Sequence, residues 1–128
     1  MKLEFKKYIS RFTTSYIYQY AQNRTSTGGL INFGPCYQTI EAVQNTCFNK
    51  ENLISLIKSK TTTLSGIYMK EDTPYLVYPI SCRFDSSNYH PSYTITIYPG
   101  DYLIWDDEIH RFVVMQESVF LMLYKEAL

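Results

Sequence analysis

At 128 residues the chain is expected to form one domain, long enough to bury a core without disulfide or metal staples. Its 45% hydrophobic and 16% aromatic content, with only 19% charged residues, excludes intrinsic disorder. Twelve Lys and Arg balance twelve Asp and Glu, and this zero argues against a dedicated nucleic-acid binder, which is normally strongly basic.

The zero conceals a gradient. Residues 1–25 carry five basic groups and one acid, a net of +4, while residues 101–128 carry six acids and two bases, a net of −4. If the two ends lie apart in space the molecule is dipolar. If they pack together the charges cancel. No apolar run approaches the roughly 18 residues of a membrane span. MKLEFKKYISRF lacks the continuous apolar core of a signal peptide. Three cysteines, Cys36, Cys47 and Cys82, suit a reducing compartment better than a disulfide framework. A cytoplasmic, non-membrane protein is expected.

In chain order, Phe5, Tyr8, Ile9, Phe12, Tyr16 and Tyr20 form a stripe at helical spacing over residues 3–22, which predicts an N-terminal helix. Strand-favouring residues such as Thr13, Thr14 and Ile17 make a strand over about 12–21 the rival. Residues 23–34 read as a loop broken by Gly28-Gly29 and Gly34-Pro35. Residues 36–44 read as a strand, with Thr39, Glu41 and Val43 on one face and Ile40, Ala42 and Gln44 on the other. The clearest helix covers about 49–60. Asn49 is its expected cap, its stripe is Leu53, Ile54, Leu56 and Ile57, and Lys58 and Lys60 fall at its C-terminus.

The remainder reads as β. A short strand covers 64–69, and Glu71 to Pro74 is a turn. A strand over 75–84 contains Pro79 and is therefore expected at an edge or bulge. After a loop over 85–91 comes the alternating run Tyr93 to Tyr98. Pro99-Gly100-Asp101 is a turn, because Pro presets φ, Gly permits unusual φ and Asp bonds nearby amides. Residues 102–105 and 111–115 predict a hairpin around Asp106-Asp107-Glu108. Residues 117–124 predict a short amphipathic helix closed by Val119, Phe120 and Leu123.

The run TIEAVQ at 39–44, the helix from Asn49 to Ile57, PGDYLI at 99–104, Arg111-Phe112, Phe120 and Tyr124-Lys125-Glu126 together resemble a group of small phage and prophage proteins of unassigned function. Those proteins share an "IEAVQ" strand, a helix and a closing "PGDYII…F…F…YE" element. The resemblance covers about residues 36–126 and leaves 1–35 as an N-terminal extension of a single domain over 1–128. Two departures stand out. Trp105-Asp106-Asp107-Glu108-Ile109-His110 replaces the group's glycine-rich hairpin turn, and Val113 to Glu117 replaces a "YPCKP" run. The resemblance implies a virus-encoded accessory protein in the host cytoplasm, and it carries over no catalytic residue.

Candidate chemistry is sparse. Cys82, His90 and His110 lack the close ligand pairs of a zinc site, and a nucleophilic Cys82 would need a positioned base that sequence does not show, so neither a metal site nor a catalytic residue is expected. Asp101, Asp106, Asp107 and Glu108 have the residue types that hold Mg²⁺ with phosphate, against the plainer reading of a solvated hairpin tip. Arg83 and Arg111 can grip carboxylate or phosphate through a guanidinium fork. Arg111 and His110 beside Asp106 and Asp107 suggest a polar rim. Tyr102 belongs to a tyrosine-rich C-terminal region suited to recognition, and Trp105 reads equally as a contact residue or as core. Lys6, Lys7 and Arg11 are the one basic cluster, and on a helix Lys7 and Arg11 share a face.

The expected fold is α+β, a mainly antiparallel sheet or small partly open barrel covered by the 49–60 helix and the N-terminal segment. The expected function is a non-catalytic, cofactor-free accessory protein that inhibits or sequesters a host defence protein or a nucleotide-like signal. Homo-oligomerisation is expected and nucleic-acid binding is not. The rivals are a metal-dependent enzyme acting on nucleotides and a virion structural or assembly component.

Overall fold

The computed structural model describes residues 3–13, 37–46, 50–69, 78–88, 90–107 and 109–127. These form β1 (Lys6–Ser10), β2 (Thr39–Gln44), α1 (Lys50–Lys60), β3 (Leu64–Met69), β4 (Ile80–Phe84), β5 (Tyr93–Ile97), β6 (Tyr102–Asp106), β7 (Arg111–Met115), α2 (Glu117–Leu123) and β8 (Tyr124–Glu126). A five-stranded sheet runs in the order β7-β6-β2-β1-β8 and a three-stranded sheet in the order β3-β4-β5, with every pairing antiparallel. The fold is α+β with two open sheets. Neither closes into a barrel among the described residues.

The sequences of β6 and β7, YLIWD and RFVVM, are nearly unbroken apolar runs. A strand that does not alternate needs cover on both faces, and the large sheet has it. On one face Ile40, Tyr102, Ile104, Val113 and Met115 pack beneath Val119, Phe120 and Leu123 of α2. On the other, Val43, Leu103, Trp105, Phe112 and Val114 meet Leu53 and Ile57 of α1 and Ile80, Cys82, Phe84, Ile95 and Ile97 of the small sheet. The sheet is thus the central layer between two cores.

Three expectations need correction. Residues 6–10 are not helical: β1 lies between β2 and β8, pairing Tyr8 with Ile40 and with Glu126. The spacing of Phe5, Tyr8 and Ile9 is helical, but pairing with two neighbouring strands decides for β and sends Phe5 and Tyr8 to opposite cores. Residues 14–22, and with them most of the rival strand, lie outside the described residues. So do Cys36, Cys47, Asn49, Glu71 to Pro74 and Glu108. Second, β4 is the central strand of the small sheet rather than an edge, because it begins at Ile80, after Pro79, and keeps every ladder N–H. The irregularity sits in its neighbour β3, between Leu64 and Gly66. Third, Tyr124 to Glu126 leave α2 to form a strand, β8.

Candidate functional site

The β6–β7 hairpin end is built by one unusual backbone residue. His110 has φ of 52°, the left-handed region that is uncommon for a residue with a side chain. It completes the reversal that sets Asp106 opposite Arg111. Trp105, 4% exposed, is a core residue: its ring lies 4.7 Å from that of Phe112 and 6.0 Å from His110. Its Nε1–H donates to Asp107 Oδ1 at 3.3 Å. The Arg111 guanidinium sits 4.6 Å over the ring of Tyr93. The Tyr93 hydroxyl accepts the Phe112 N–H at 3.1 Å, tying β5 to β7. His90 spans the gap between the β4–β5 loop and the hairpin, its Nε2 lying 2.8 Å from the His110 carbonyl oxygen. A carbonyl can only accept, so Nε2 carries the proton in this contact.

Beside Trp105 opens a cleft of about 350 Å³. One wall is the C-terminal end of α1 and the segment after it, Lys58 to Thr63. The other is Ser87 and His90 of the loop with His110 of the hairpin turn. Among the described residues its lining holds two lysines, two histidines and five hydroxyls, and no carboxylate. Lys60 Nζ pairs with Glu41 at 2.7 Å and lies 5.4 Å over the ring of Phe5. Thr61 and Thr63 share a hydroxyl contact at 2.9 Å. On the other side of Trp105 a smaller cleft, about 220 Å³, is lined by Lys7, Glu41, Asp106 and Asp107 among others.

The remaining sequence candidates disperse. Tyr102 and Asp101 lie at the far end of β6 from Asp106. The acidic cluster therefore does not assemble: Asp101 and Asp106 are buried at opposite ends of one strand, and Asp107 is exposed. The solvated-tip reading fails for Asp106 and holds for Asp107. Among the described residues, no group of three or more His, Cys, Asp and Glu is placed to hold a metal. Arg83 is exposed on β4, between its register partners Gly66 and Thr94. Lys6 and Lys7 are successive strand residues and so face opposite sides of the sheet. Arg11 donates from Nε to the carbonyls of Leu121 and Tyr124, at 3.1 and 3.2 Å. The shared helical face proposed for Lys7 and Arg11 does not exist. Cys82 is fully buried, and desolvation pushes its thiol up to about 11.

Sequence reasoning found Trp105 and His110 but missed Lys58, Lys60 and Thr61 to Thr63 as cleft residues, and weighed His90 only as a metal ligand or a base for Cys82. The run Thr61-Thr62-Thr63 directly after a helix is the one local signal for that wall. No family model, curated protein or solved structure matches the chain.

Proposed function

We propose that the chain is a non-catalytic binding protein that holds a small, anionic, nucleotide-like ligand in the cleft beside Trp105. The observation that carries this reading is the lining: lysine ammonium groups and threonine hydroxyls around a polar cleft, with no carboxylate among its described lining residues. Such groups donate to phosphate oxygens and present nothing that repels them. The biological setting is a phage or prophage accessory role in the host cytoplasm, in which the protein sequesters a defence signal or blocks the host protein that uses it. The resemblance of residues 36–126 to phage proteins supports that setting.

Calorimetric titration with mononucleotides, cyclic mononucleotides and cyclic dinucleotides tests the reading. At least one should bind, and Lys58→Ala should weaken it. Lys58 is exposed, so the variant should fold. No heat from any member at millimolar concentration would end the proposal.

A further inference from the structure

A larger cleft, about 440 Å³, opens at the opposite end of β6, and its chemistry is the reverse. Its walls include Glu4, Lys6 and Tyr8 from β1 and the residues before it, Gln44 from β2, and Tyr102 from β6. The two phenols are held rigidly. The Tyr102 ring stacks on Phe120 at 3.9 Å, and the Tyr8 ring stands edge-on to both, 6.0 Å from Tyr102 and 4.9 Å from Phe120. The two side chains share a hydrogen bond. Gln44 is fixed through its amide nitrogen, which donates to the Gly100 carbonyl at 3.0 Å and to Glu117. That leaves Oε1 as the amide's acceptor atom. Burial is the first cause that raises both phenol pKa values. Negative charge from Glu126 adds to it at Tyr8, and from Glu117 and Glu126 at Tyr102; Glu126 is the register partner of Tyr8, and Glu117 accepts from Gln44.

The wall therefore presents oxygen acceptors: two phenols, an amide oxygen and carboxylates. Glu4 lines the cleft, Glu117 bonds Gln44 behind it and Glu126 pairs with Tyr8 in register, against the one ammonium, Lys6, among its described lining residues. We propose that this cleft is a second binding site, and that it takes a small organic cation with an alkylammonium or guanidinium head. Such a head brings several N–H donors to the acceptors and a positive charge to the carboxylates, beside aromatic rings. Lys6 is the cleft's own cation and competes with the ligand for the same oxygens. The site is independent of the anion cleft, since Tyr102 and Trp105 lie on opposite faces of β6.

The test is a titration of the whole chain with spermidine and, separately, with arginine methyl ester at fixed ionic strength, followed by amide NMR at Tyr8, Gln44 and Tyr102. Saturable shifts confined to these residues and their neighbours are expected from at least one probe. Glu126→Gln should weaken binding by on the order of threefold, the scale of one exposed charge pair. Lys6→Met should tighten it by a similar factor, a gain that misfolding cannot imitate. Both side chains are exposed. Shifts absent with both probes, or a Lys6→Met protein that binds no more tightly than the parent, would overturn the proposal.

Discussion

The turn at Pro99-Gly100-Asp101 joins β5 to β6 through a handful of specific bonds. Gly100 has φ of +89°, where a side chain is strained. Its N–H donates to the Asn45 carbonyl at 2.9 Å, and the Asn45 N–H returns a bond to the Asp101 carbonyl at 2.8 Å. Asp101 Oδ2 accepts the Tyr98 N–H at 2.9 Å. Burial raises the Asp101 pKa above its ordinary 3.8, and the Tyr98 bond offsets part of that. The folded state thus holds this proton more tightly than the unfolded chain, so ionising Asp101 costs stability as pH rises from 3.8 through the raised value. Asp101→Asn keeps the carbonyl acceptor without the charge. Its urea midpoint relative to the parent should move in its favour across that window, and a pH-independent difference would contradict the assignment. Cys82 works in the same sense at alkaline pH. Its thiol ionises near 9.0 when exposed and at about 11 when buried. Its contribution to stability is complete below pH 9 and is lost between 9 and 11. Comparing the stability of the parent and Cys82→Ala over that range isolates the effect from the tyrosines.

At the scale of elements, α2 is a short lid on the large sheet, held by packing rather than by caps. Phe120 stacks on Tyr102 and on Tyr124, at 3.9 and 5.1 Å, and is fully buried. Phe120→Ala should cost about 3–5 kcal/mol, a large share of the roughly 5–15 kcal/mol of a typical domain. Gln116 at the N-terminus makes no side-chain cap bond. Gln116→Asp should therefore stabilise by about 1 kcal/mol, read as a raised denaturation midpoint, and a lowered midpoint would show that Gln116 is needed for another reason. The stripe of α2, with Val119, Phe120 and Leu123 buried, was legible because it is local and periodic. So were β3, the β6–β7 hairpin, and α1 with Leu53 and Ile57 inward. Two strands were not. β1, KKYIS, does not alternate and its apolar residues fall at helical spacing, and β8 has only three residues, YKE, with no pattern of its own. β1 exists because it pairs with β2 and β8, and β8 because it pairs with β1; a pairing across 118 positions, Tyr8 with Glu126, leaves no mark in local sequence.

At the scale of the whole molecule, that same pairing settles what becomes of the charge gradient in the described part of the chain. β1 of the basic segment lies beside β8, with Tyr8 opposite Glu126, and Lys7 shares a cleft with Asp106 and Asp107, so opposite charges of the two segments lie close together. Charge is organised instead by cleft. The lysine- and hydroxyl-lined cleft lies at the Trp105 end of β6, and the acceptor-lined cleft at its Tyr102 end. The first was half legible. Trp105 and His110 are neighbours in sequence and were found together, whereas Lys58, Thr61 to Thr63 and His90 reach them only through packing of α1 and the β4–β5 loop. The central claim, an anionic ligand beside Trp105, has a built-in reporter because Trp105 is the only tryptophan. The most direct measurement is its fluorescence during titration with the nucleotide panel, in the parent and in Lys58→Ala. A saturable change in emission that shifts to higher ligand concentration in the variant is the predicted result. Emission unaltered by every member of the panel in the folded parent, or an identical curve in the variant, would contradict it.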